Sequence, residues 1–138
     1  MTYFIDSGVW IAAYNQKDLH HEAGSKIITA LTNNQLGIAM ISNQIFNEVV
    51  TFVRKRFGFD ASNRAAEAMI NSPHVATRMI DEKAFNAAYH IFQLYERLSF
   101  TDAAMVVIMK NEGIRFLFSF DSDFDGIKDI VRLADIPE

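Results

Sequence analysis

Six acidic positions in this chain sit where carboxylates can do chemistry together. Asp121, Asp123 and Asp125 alternate in SFDSDFDG (residues 119–126), directly after the apolar run IRFLF (114–118). Asp6 ends the apolar run TYFID (2–6), and Asp102 stands in SFTD, just ahead of AAMVVIM (103–109). Glu48 lies within SNQIFNEVV (42–50). Carboxylates gathered at one place cannot all stay ionised without a cation between them. Hard divalent ions such as Mg²⁺ or Mn²⁺ take ligands of this oxygen type. The chain has no cysteine, which rules out disulfides and thiolate metal sites. His20 and His21 are read in a loop after Asp18, His74 at a strand start and His90 in a helix. They are expected to be surface or packing residues away from the acids, so zinc is not expected. No glycine-rich turn follows the first strand, which argues against a dinucleotide cofactor. Metal held by carboxylates alone suits phosphoryl chemistry, in which the ion polarises a phosphate oxygen and activates water.

Bringing these acids together is a task for the fold. TYFID reads as a short strand, with Ser7 capping a helix through Trp10 to Tyr14. Ala23, Ile27, Ile28 and Leu31 recur at helical spacing over residues 21–32. LGIAMI (36–41) carries no charge and reads as a strand buried on both faces. Ser42 caps an amphipathic helix whose stripe is Ile45, Phe46, Val49, Phe52 and Val53, stopped by Gly58. Helices over 60–71 and 81–96 flank a strand at 74–80, and a helix apolar nearly all round ends at Gly113. IRFLF and IVRL (130–133) supply the last strands. This alternation is that of an α/β domain with a mainly parallel sheet. Such sheets bind ligands beyond the carboxyl ends of their strands, where strand order reverses.

Asp6 and the Asp121/Asp123 pair fall at strand ends, and Asp102 opens a helix whose N-terminus lies on that same edge. Glu48 falls about 40° from Phe52 on a helical wheel and roughly 8 Å into its helix, so it reaches the edge only if that helix leans across it. Each acid also has a local reading: a cap for Asp6, a dipole partner for Asp102, turn residues for the three alternating aspartates, a solvated flank for Glu48. Independent local needs do not explain why all fall on one edge.

The 138 residues are 50% apolar and 22% charged, with net charge −4, fitting one folded domain over residues 1–138. That charge does not advertise nucleic-acid binding. Arg54, Lys55 and Arg56 form the only basic cluster; it suits either an RNA backbone or the negative end of a helix. MTYFIDSGVW lacks the pattern of a secretory signal, and no apolar run approaches a membrane span. A soluble cytoplasmic protein is expected.

FIDSGVWIA, SNQIFNEVV, LSFTDAAMVV and FLFSFDSDF, in that order, resemble the four acidic motifs of PIN domains, and especially of VapC-type toxins. The resemblance spans essentially the whole chain. It implies a three-layer α/β/α sandwich with a mainly parallel sheet, and metal-dependent endonucleolytic hydrolysis of RNA. It assigns the acidic roles to Asp6, Glu48, Asp102 and either Asp121 or Asp123, since SFDSDF offers both; Asp121, nearer the strand end, is favoured, with Asp123 as a supporting metal ligand and Asp125 left on the surface. Ser7 and Thr101 stand where a hydroxyl supports such sites. Mg²⁺ or Mn²⁺, an RNA substrate, a small antitoxin protein and a homodimer are implied with it.

Two kinds of alternative are weighed against this. One is a PIN protein of RNA processing with no toxin role. The other is a Mg²⁺-binding receiver-type phosphoacceptor domain, which wants an acid pair at the first strand end. Here Ser7 and Gly8 follow Asp6. A phosphatase of the haloacid-dehalogenase type wants a second aspartate where Gly8 stands.

Overall fold

The structure, a computed structural model, describes residues Met1–Pro137. Its elements run in the order β1 (Thr2–Ile5), α1 (Ser7–Tyr14), α2 (His21–Thr32), β2 (Ile38–Ser42), α3 (Asn43–Phe57), α4 (Phe59–Asn71), β3 (Val75–Arg78), α5 (Glu82–Leu94), α6 (Phe100–Glu112), β4 (Phe116–Phe118) and β5 (Val131–Leu133). A single 3₁₀ turn, Ser122–Phe124, lies between the last two strands. The five strands form one sheet in the order β3-β2-β1-β4-β5, and every pairing is parallel.

That order has one reversal. From β1 the chain steps outward to β2 and β3, then returns to place β4 on the other side of β1. Right-handed crossovers put the helices of the outward steps on one face and those of the return on the other. The packing agrees: α1 packs on α2 and α3, and α3 on α4, while α5 packs on α6. The result is an α/β/α sandwich, as the motif pattern implied.

Local sequence explains the layers. In α6 every residue from Ala103 to Met109 is buried, so the helix has no solvent face over its middle turns. Ala103, Ala104 and Val107 meet Ala84 and Ala88 of α5, and these small side chains let the two helices close on one another. Gly24 does the same for α1 and α2: a Cβ there would stand 2.9 Å from the Val9 carbonyl oxygen. Gly58, with φ +96°, ends α3 and turns the chain directly into α4.

Element limits differ from the sequence reading by a residue or two, with one change of role. Asp6, not Ser7, is the N-cap of α1, its side chain accepting from the Ser7 N–H at 2.8 Å. Arg54, Lys55 and Arg56 fall in the last turn of α3. That end lies about 20 Å along the helix from its start at the carboxyl edge of β2. Arg54 is used internally, donating to Ser62 Oγ at 2.9 Å and Asn63 Oδ1 at 3.0 Å and lying over the Phe59 ring. No helix among the described residues is long and apolar enough to cross a membrane.

Candidate active site

The reversal of strand order lies between β1 and β4, and the acids gather at its carboxyl edge. Ile5 pairs with Phe118, so Asp6 and Ser119, each one residue further on, stand side by side. The Asp6 N–H completes the ladder on the Phe118 carbonyl at 3.0 Å. The Ser119 hydroxyl donates to Asp6 Oδ2 at 2.8 Å and accepts from the Asp121 N–H at 3.1 Å. Asp121 Oδ1 in turn accepts from the Asp123 N–H at 2.9 Å, shaping the 3₁₀ turn. One buried hydroxyl thereby links the ends of the two strands.

Asp102 reaches the same place from α6. Its N–H bonds Ser99 Oγ and its Oδ2 accepts from the Ser99 N–H, both at 3.1 Å, a reciprocal capping box. The cap fixes one carboxylate oxygen and so orients the other. The local reading of Asp102 and the chemical one are both satisfied by one geometry.

A cleft of about 450 Å³ brings these residues together. Asp6, Glu48, Asp102 and Asp121 all line it, as does Ser7. Helix α3 leans on α1, which carries Glu48 to the edge. Thr101 and Asp123 do not line it. Asp123 belongs to a neighbouring depression and lies 3.8 Å from Arg97, because the 3₁₀ turn rotates it away from its predecessor but one. Asp125 is held outside by Arg132, which donates to both its oxygens at 2.8 and 3.1 Å and to the Ser119 carbonyl at 3.2 Å. A separate depression of about 260 Å³ between α3 and α4, lined by Phe46 and Val50, lies apart from the acids.

The expectation that the histidines stand away from the acids fails for His20. His20 and Asp18 both line the cleft. Close packing of α2 on α1 through Gly24 folds the intervening loop over the carboxyl edge, and Asp18 Oδ1 accepts from the His20 N–H at 2.8 Å. His21 is a packing residue, its Nδ1 donating to the Ala12 carbonyl at 2.7 Å. Ser119 was not singled out from sequence either; only the strand register reveals its role.

The electrostatics fit an incomplete site. Burial pushes Asp6 from 3.8 up to about 6, against the opposing pull of the Ser119 hydroxyl, and the charge of Asp102 adds to the rise. Glu48 is raised by desolvation of its carboxyl and then by Asp102, although the residue as a whole is exposed. Asp102 is raised by burial first, opposed by its bonds to Ser99, with Asp121 and Asp123 contributing repulsion. The acids thus repel one another across the cleft, and no lysine or arginine lines it. Oxygen donors with a shared need for positive charge fit a hard divalent cation. Among the described residues, no three carboxylate or imidazole groups are already spaced to hold a metal ion.

The model of the PIN domain matches residues 3–130. The chain belongs to the PIN domain family. This PIN domain is similar to the "23S rRNA-specific endonuclease VapC20" of Mycobacterium tuberculosis, 27% identical over 125 residues covering 88% of this chain and 90% of the relative. It is similar to a "VapC ribonuclease" of Archaeoglobus fulgidus, 27% identical over 128 residues, with 90% and 80% covered. Among solved structures, the M. tuberculosis VapC20, described as a sarcin-ricin loop cleaving toxin, superposes with a TM-score of 0.78 at 25% identity, over 93% of this chain and 98% of that one. A toxin-antitoxin complex from Klebsiella pneumoniae shares the fold, with a TM-score of 0.74 at 17% identity over 97% and 99%. The PIN match removes the receiver-type and phosphatase readings.

Proposed function

We propose that this PIN domain, one domain over residues 1–138, is a divalent-metal-dependent endoribonuclease and the toxin of a toxin-antitoxin pair in the cytoplasm. The observation that carries this reading is the convergence of Asp6, Glu48, Asp102 and Asp121 in one cleft at the strand reversal of a PIN fold. The VapC names of its relatives support the substrate class and the toxin role. Solved toxin-antitoxin structures of the same fold support a small antitoxin as partner, and a homodimer is expected with it.

Asp6, Glu48, Asp102 and Asp121 would hold Mg²⁺ or Mn²⁺, with Ser7 as a nearby hydroxyl. Asp123 is assigned an outer role, through its N–H on Asp121. When bound, the ion polarises the scissile phosphate and eases deprotonation of the attacking water. Asp6, fixed by Ser7 and Ser119, holds its position in the cleft floor. Asp102 keeps one oxygen on its cap and presents the other. Glu48 lines the cleft from α3, and an aspartate there would orient or deprotonate the attacking water. Hydrolysis then needs no covalent bond to the protein.

Purified protein should cut RNA in Mg²⁺ or Mn²⁺ and not in EDTA. Asp6→Asn and Asp102→Asn should each reduce cutting to background while circular dichroism stays native. Full cleavage by both variants would sink the site. Growth arrest on expression, absent for Asp6→Asn, tests the toxin role separately; growth unaffected by an active nuclease would favour RNA processing.

A further inference from the structure

At the mouth of the cleft His20 and Phe120 lie ring on ring, with centroids 4.4 Å apart and planes 16° from parallel. The rings arrive from different parts of the chain, one from the loop ahead of α2 and one from the residue after buried Ser119. Both line the same cleft as the acids. Phe120 is half-buried and packs on the core, whereas His20 is exposed. Phe120 covers one face of the imidazole, and His20 as a residue remains exposed. The His20 backbone is fixed by its bond to Asp18, so the platform is held on both sides.

An RNA strand entering this cleft meets carboxylates and no cationic side chain, on a protein of net charge −4. The basic cluster of α3 lies at the far end of its helix. An ion held by the acids would grip the phosphate, but no cationic side chain of the cleft adds a hold on the rest of the strand, and a grip independent of charge would fix a base. Flat rings supply one: bases stack on aromatic side chains whatever their sequence.

We propose that His20 and Phe120 form a stacking platform that receives one unpaired nucleobase beside the phosphate held in the cleft. The proposal rests on the ribonuclease reading and adds the positioning residues for its substrate. His20 touches the base and not the reacting phosphate; it acts through its ring face, so its nitrogens are dispensable. The competing account is that the pair only pins the Asp18–His20 loop to the end of β4.

The two accounts separate in one set of measurements. Single-stranded RNA 12-mers carrying 2-aminopurine in place of each adenine in turn are mixed with protein in Mg²⁺, and the fluorescence amplitude is read before cleavage. Wild type should quench the probe at one position, and His20→Ala should lose that quench. In cleavage, His20→Ala should raise KM by on the order of tenfold to a hundredfold with kcat nearly unchanged. His20→Phe should restore both. An abasic nucleotide at the quenched position should weaken wild type to the level of His20→Ala and weaken that variant no further. His20 is exposed and caps α2 without a side-chain bond, so its truncation should leave the circular dichroism native; Phe120→Leu serves where Phe120→Ala melts too low. RNA cut with equal KM by wild type and His20→Ala overturns the platform and leaves the nuclease reading standing. A His20-dependent quench without any cleavage does the reverse. A quench at no position, or rescue by His20→Gln but not by His20→Phe, overturns the platform whatever the cleavage.

Discussion

Ser119 joins the two halves of the cleft through one hydroxyl, donating to Asp6 and accepting from Asp121. Ser119→Ala leaves Asp6 Oδ2 without its donor and frees the Asp121 backbone. Loss of such a supporting bond should reduce metal affinity or activity by about 10–100-fold, measured by Mn²⁺ titration of cleavage rate, while Ser119→Thr keeps part of it. Asp6 carries a second expectation. Its folded pKa of about 6 lies above the ordinary 3.8, so between those values the folded chain holds a proton that the unfolded chain releases. Stability from this group is full below pH 3.8 and is lost as pH rises through about 6. Above that, the buried carboxylate costs on the order of 2–3 kcal/mol in metal-free protein. Asp6→Asn keeps a good cap and removes the charge. It should melt several degrees higher than wild type at pH 7.5 in EDTA, with the gain shrinking as pH falls towards 4. Equal melting at both pH values would deny that Asp6 is strained by its surroundings.

The elements show why some of the site was legible and some was not. Asp6 and Asp102 were readable because strand ends and helix starts have local signals, an apolar run closing on an acid and an acid just ahead of a long apolar helix; the Ser99 cap that fixes Asp102 appeared only with the structure. Glu48 could be placed on the flank of its helix but not in the cleft, since the lean of α3 depends on packing against α1. Ser119, Asp18 and His20 gave no periodic signal. Ser119 depends on the register of β1 with β4, and the other two on how closely α2 packs on α1. Asp121 and Asp123 looked alike in sequence; a short 3₁₀ turn separates them in space. Gly24 is the test at this scale. Gly24→Ala places a Cβ 2.9 Å from the Val9 carbonyl oxygen. It should cost about 1–3 kcal/mol by forcing α1 and α2 apart, read as a lower melting temperature. Hydrogen exchange should quicken first across α1, α2 and their loop, with β4 and β5 little changed.

For the whole molecule, a cleft of mutually repelling carboxylates on an acidic chain makes the folded protein a better ligand for cations than for RNA alone. Mn²⁺ should raise the melting temperature of wild type in proportion to the logarithm of its concentration above Kd, and should do little for Asp6→Asn. Protons compete for the same oxygens, so the stabilisation should weaken as pH falls through about 6, the value that burial gives Asp6. An equal shift in both proteins, or one independent of pH, would place the ion elsewhere.

The parallel sheet is built outward from β1, yet β1 acquires its other neighbour only when β4 arrives. Every pairing in such a sheet joins residues far apart along the chain, and non-local pairing comes late. Asp6 emerges first during synthesis and waits for Ser119. In a nascent chain Asp6, Glu48 and Asp102 therefore lack Ser119 and Asp121 beside them until β4 docks on β1. The cleft is complete only once that strand has left the exit tunnel and paired with β1.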